Sequence, residues 1–148
     1  MKTTEVIKKT LELNASKEKV WNVLTKDEFT TQWFKEFSEG TRAESDWQEG
    51  SKITFLDAKK DGIIGVISTY RPFDKLEYTY NGVAYNGQED YESDAALSVK
   101  GFKESYVLKE ANGKTVLDLE SEMSEDYFQQ MSEAWDRALQ VIKKLSEA

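Results

Sequence analysis

The chain has no cysteine and no histidine, and Pro72 is its only proline in 148 residues. Without Cys and His there are no disulfides, thiol nucleophiles, Ser-His-Asp triads, imidazole-ligated haems or ordinary zinc sites. Any catalysis falls to carboxylates, lysine, tyrosine or serine. No apolar run approaches the roughly 20 residues that span a bilayer, and no secretory leader pattern is recognised. The expected compartment is therefore cytoplasmic, and Asn14-Ala15-Ser16 is a chance match to a glycosylation sequon. Basic residues are in deficit, 20 against 28 acidic ones, for a net charge of −8. Such a surface does not suit nucleic acid or an anionic membrane, which require Lys and Arg against phosphates. Asp57 to Gly62 has the feel of a calcium loop but lacks the acid at its third position, and Ser68 stands where the closing Glu belongs. No metal, cofactor or catalytic residue is therefore assigned.

Periodicity is what the chain has in abundance. At its end, Phe128, Met131, Trp135, Ala138, Ile142 and Leu145 recur in steps of three and four, one face of a helix about six turns long. Tyr127, Ala134, Leu139 and Val141 widen that stripe beyond a coiled-coil seam, which suits packing against a sheet. At the other end, residues 3 to 13 alternate as a strand, and Ser16 caps a helix over Lys17 to Thr25. A second short helix follows over Asp27 to Phe34. Strands are then expected at 42–47, 51–58, 63–70, 76–81, 102–110 and 117–123, with hairpin signals at Asp61-Gly62 and Asn112-Gly113. Pro72 ends the fourth strand. Residues 82 to 101 fit no regular element. They read either as a solvated excursion of a long hairpin or as a lid over a pocket with Tyr85 and Tyr91 as its contacts. Length, with no repeat and no linker, gives one domain over residues 1–148.

Strand, two short helices, six strands and a long helix is an order that resembles the helix-grip fold of the START-like (SRPBCC) superfamily. The local wording is closest to the branch named after the heat-shock-protein-90 ATPase activator. Ala15-Ser16-Lys17-Glu18-Lys19-Val20-Trp21 resembles that family's opening signature, and Trp33-Phe34 stands where it places a Trp after the second helix. WQEGSKITF (Trp47 to Phe55) resembles its Gly-centred hairpin, and Tyr70 to Leu76 its Pro-containing turn. Asn112 to Leu117 matches its penultimate hairpin, and Trp135 falls where its last helix carries a Trp. The resemblance implies an α+β fold. A seven-stranded antiparallel sheet curls around the C-terminal helix and often encloses an apolar cavity. It implies little about chemistry, because the family includes co-chaperone domains, cyclases and lipid binders.

Candidate ligand-binding residues are the bulky inward positions. The helical pair gives Trp21, Trp33 and Phe34, and the strands give Phe55, Tyr78, Tyr80, Tyr106, Leu117 and Met123. The last helix adds Phe128, Met131 and Trp135. They make either a solid core or a pocket wall; buried phenols need partners and Met adapts to irregular ligands, which favours a pocket. Arg137 is expected to pair with Glu133 one turn earlier. Arg42 or Arg71 can meet a ligand carboxylate. Glu104 and Glu120 lie on adjacent strands and can pair across the sheet surface. Parity puts Glu104 on the Tyr106 face, which is accounted for by a position near a strand end, open to water. The expected function is non-enzymatic binding of a small apolar or amphipathic molecule, by a monomer or homodimer. The alternatives are a co-chaperone-like domain acting on a heat-shock ATPase and a cyclase or hydratase-type enzyme.

Overall fold

The computed structural model describes residues 3–148. Strand β1 (Thr4–Leu13) leads into α1 (Lys17–Thr25) and α2 (Asp27–Phe34), followed by β2 (Arg42–Ser45), β3 (Lys52–Leu56), β4 (Gly62–Arg71) and β5 (Lys75–Tyr85). A short β6 (Gln88–Asp90) and α3 (Asp94–Val99) precede β7 (Lys103–Ala111) and β8 (Lys114–Ser124). A single 3-10 turn over Glu125–Tyr127 then opens α4 (Phe128–Glu147). The sheet is antiparallel and open, in the order β1-β8-β7-β5-β4-β3-β2, with β6 attached to β5.

Local chemistry sets the helical pair. The Ser16 hydroxyl accepts from the Lys19 backbone N–H at 3.1 Å and starts α1. Val20, Trp21, Val23 and Leu24 are then buried. In α2, Trp33 donates its indole N–H to the Val23 carbonyl at 2.9 Å, fixing the two helices to each other. The Asn112-Gly113 turn has both residues at positive φ, 55° and 78°, as a two-residue hairpin requires. The Asp61-Gly62 hairpin forms differently from its usual pattern. Lys60, not Gly62, takes the left-handed conformation at φ 63°. Gly62 is needed for space instead: a Cβ there would lie 1.8 Å from the Phe55 carbonyl oxygen.

Register shifts in the β4–β5 pairing, at Ile64/Gly65 and Ile67/Thr69, bend the sheet. Its concave side closes over a core that includes Leu13, Ile53, Ile67, Leu76, Leu117 and Ile142. Helix α4 packs on β1, α1 and α2. Polar ties hold it there: Lys9 meets Asp136 at 2.7 Å, and Glu147 accepts from the Asn14 backbone N–H at 2.9 Å. Arg137 does not pair with Glu133. It reaches Glu36, just beyond α2, with Nε at 3.3 Å from the carboxylate and Nη2 at 3.3 Å from the carbonyl. That two-point contact to a partly buried Glu36 outweighs a single exposed pair along the helix.

The segment 82–101 is ordered, and it accounts for the strand added to the seven expected. The outer half of β5 pairs with β6, while its inner half pairs with β7. Ser93 caps α3 by accepting from the Ala96 N–H, and the chain rejoins β5 where Tyr80 N–H donates to Phe102 and Gly101 N–H donates to Tyr80.

A carboxyl-bearing cavity between sheet and terminal helix

Between the concave sheet face, α2 and α4 lies a cavity of about 410 Å³. Its helical wall is Trp33, Phe34, Met131 and Trp135; its sheet wall includes Phe55, Ile63, Tyr80 and Met123. Asp57, Asp61, Ser98 and Tyr127 also border it, and the exposed Ser98 and Tyr127 mark its outer rim. Partly in this wall and partly behind it runs a closed circuit of aromatic rings, edge-on except for the tilted Trp33–Trp135 contact. Trp33 meets Phe34 at 4.5 Å, Phe34 meets Phe55 at 5.8 Å, and Phe55 meets Tyr78 at 5.1 Å. Tyr106 and Trp135 complete it, 6.0 Å apart, with Trp135 5.9 Å from Trp33. Edge-on packing of this kind favours rings beyond the area they bury.

Sheet register places one carboxyl inside this apolar enclosure. Glu104 on β7 stands opposite Tyr78 of β5 and Ser121 of β8, all on the concave side. The Tyr106 hydroxyl donates to Glu104 Oε2 at 2.5 Å and the Ser121 hydroxyl to Oε1 at 3.3 Å. Glu104 is half-buried and borders the cavity. Burial pushes its carboxyl above its ordinary value, and the hydroxyls of Tyr106, Tyr80 and Ser121 offset this only in part. Burial likewise pushes the Tyr78, Tyr80 and Tyr106 phenols well above theirs, with the Glu104 charge adding to it, so all three stay un-ionised donors. The reading of Glu104 as a solvent-facing strand-end residue is thus overturned. So is its pairing with Glu120: the partner of Glu120 is Ser105, so the two carboxylates point to opposite faces.

Two polar atoms in the wall lack partners. The indole N–H of Trp135, a residue 2 % exposed, has no acceptor, and the Ser124 hydroxyl is unbonded. Unpaired groups of this kind cost about 1–3 kcal/mol in a closed interior.

Of the twelve residues expected at the site, Trp33, Phe34, Phe55, Tyr80, Met123, Met131 and Trp135 border the cavity. Tyr78 and Tyr106 stand one layer behind, 2 % exposed each, and Leu117 is fully buried toward the other end of β8. Phe128 packs half-buried against the core. Trp21 faces away, edge-on to Tyr70 at 5.5 Å, and borders a separate hollow of about 630 Å³ in which half the wall is polar. Strand parity gives the face a side chain occupies but not its depth, and depth separates Tyr78, Tyr106 and Leu117 from the cavity. Phe37, Val99, Phe102, Glu104 and Ser121 border the cavity without having been among the candidates. Glu104 carried a signal, as an acid two residues from Tyr106 on the same strand face, and Ser121 another, as the hydroxyl in step with Leu117, Leu119 and Met123. Tyr85 and Tyr91 take no part; the 82–101 segment reaches the rim through Ser98 and Val99. Neither Arg42, which pairs with Asp27 at 3.1 Å, nor Arg71 borders the cavity.

The same architecture recurs in solved structures. A protein from Mesorhizobium loti matches with a TM-score of 0.71 at 14% identity, over 97% of this chain and 96% of its own. The Aha1 dimer from Colwellia psychrerythraea gives 0.71 at 17% identity, covering 97% and 96%. A protein from Cytophaga hutchinsonii gives 0.68 at 22% identity, covering 95% and 92%. These identities establish a shared fold only. None of the curated proteins matches the chain significantly in sequence. The family model for activator of Hsp90 ATPase homolog 1-like proteins aligns from residue 14 to 147, from just before the Ser16 cap to the last residue of α4. With that span matched and the helix-grip topology in place, the chain belongs to the activator of Hsp90 ATPase homolog 1-like family.

Proposed function

We propose that this protein binds a small apolar or amphipathic molecule, without transforming it, in the cavity between the sheet and α4. One observation carries the reading: a space of about 410 Å³ walled by aromatics and Met, with the Glu104 carboxyl and the Tyr80 and Ser121 side chains as its inner polar groups. Ligand sites typically occupy about 300–1,000 Å³ and combine such walls with a few polar groups. Trp33, Phe34, Phe55, Tyr80, Met123, Met131 and Trp135 supply the apolar contact. The test is titration with Nile red, a neutral fluorescent probe. Saturable binding that Val99→Trp abolishes, by filling the rim, supports the reading; no saturable binding overturns it.

The half-buried Glu104 beside Tyr80 supports a second reading, an acid–base enzyme of the cyclase or hydratase type. In that reading Glu104 moves the proton and Tyr80 donates a hydrogen bond. A bound molecule recovered chemically unchanged after prolonged incubation decides against it. Action on a heat-shock ATPase is the third reading and rests on family membership. An unchanged ATPase rate of the purified chaperone at saturating protein overturns that one.

A further inference from the structure

The cavity is one-sided in charge. Four acidic residues line it, Glu104, Asp57, Asp61 and Glu122, and no lysine or arginine does; Glu122, in step with Glu120 along β8, turns its carboxylate to the opposite face of the sheet from Glu104. Among the described residues none of the four takes part in an ion pair. Their partners are uncharged donors. Glu104 has the Tyr106 and Ser121 hydroxyls, and Glu122 has the Lys103 backbone N–H at 2.8 Å. Asp57 accepts from the Ser38 hydroxyl and the Lys59 and Asp61 N–H groups, and Asp61 accepts from the Asn86 N–H. Lys59 acts on Asp57 electrostatically but is not part of the cavity wall. Lys9, Lys17 and Lys52 each pair with an acid outside the cavity wall.

We propose that the molecule held in this cavity carries a protonated amine on an apolar body, with its cation seated against Glu104. The inference rests on the cavity-binding reading and narrows it to one ligand class. An ammonium donates charge-assisted hydrogen bonds to a carboxylate that now has only hydroxyl partners. Tyr80, Phe102 and Trp135 line the same cavity and offer apolar contact to the body that bears the cation. An anionic head group would sit beside Glu104, Asp57 and Asp61 with no compensating cation in the wall. Fatty carboxylates and other anionic amphiphiles are thereby excluded.

The test is competition against Nile red by three ten-carbon ligands, decylammonium, decanol and decanoate, at pH 7.5. Salt at about 0.15 M screens charges on the outer surface. Decylammonium is expected to displace the probe at a concentration about tenfold or more below that of decanoate, and several-fold below that of decanol. Glu104→Gln is expected to erase the advantage over decanol. Glu120→Gln, which removes an equal charge from the opposite face of the sheet, keeps it. Decanoate binding as tightly as decylammonium, or an advantage that survives Glu104→Gln, overturns the inference. Should Glu104→Gln not fold, the wild-type ranking decides alone. Saturable Nile red and decanol binding with no preference for the amine defeats this inference and leaves the binding reading standing; no saturable Nile red binding defeats both.

Discussion

Glu104 shows what one side chain does when register turns it inward. Its native carboxyl, raised by burial, keeps a proton at pH values where the unfolded chain has released it. Stability attributable to this group therefore falls as pH rises from the ordinary carboxylate range through its native value, and below that range the group has no effect. Glu104→Gln is expected to stabilise the protein at pH 8 relative to wild type and to be indistinguishable from it at pH 3. Urea denaturation at the two pH values checks this; equal differences at both would refute it. The tryptophans provide a matched pair. Trp33 bonds the Val23 carbonyl whereas the Trp135 N–H bonds nothing, and both are 2 % exposed. Both lose the same volume on substitution by Phe, so Trp33→Phe is expected to cost about 1 kcal/mol more than Trp135→Phe. Denaturant midpoints measure the difference.

At the scale of elements, what was legible is what local chemistry fixes. The Ser16 cap, the bounds of α1 and α2, and the Asn112-Gly113 hairpin need only near neighbours and follow from the residues themselves. Ser16→Ala is expected to cost about 1 kcal/mol, read as a fall in thermal midpoint. The β3–β4 hairpin was legible in place but not in mechanism. Gly62 has no positive φ; its constraint is the carbonyl of Phe55 across the ladder, a contact visible only once the strands are paired. Gly62→Ala is expected to cost about 3 kcal/mol by forcing the backbones apart, whereas a mere entropy effect would leave stability nearly unchanged or raised. Residues 82–101 were illegible because a three-residue strand and a six-residue helix are too short to show a period.

For the whole molecule, the grip of the sheet on α4 is tight at one end and loose at the other. Trp135 touches Tyr106 of β7, while Met131, a turn earlier, borders open space. The terminal helix is therefore anchor and cavity wall at once, and the choice between solid scaffold and hollow one does not apply to it as a unit. A ligand that enters only the folded protein raises its stability by mass action, by about 2.7 kcal/mol at a hundredfold excess over Kd. Val99→Trp is expected to abolish that rise in thermal midpoint while leaving the unliganded midpoint within a few degrees of wild type. A rise that persists in the filled variant would place the ligand elsewhere.

Alone, the sequence determined the α+β class, the order of the elements outside residues 82–101, the amphipathic stripe of α4 and the exclusion of thiol and imidazole chemistry. Those depend on residue type and on periods of two and 3.6, which are local. Only the tertiary structure decided that Glu104 lies within the cavity wall, that Arg137 meets Glu36, and that seven of twelve bulky residues border a hollow while five do not. Depth, pairing partner and empty space are relations between segments distant in the chain. They arise when the bent sheet meets the helix, and no pattern within either segment encodes them.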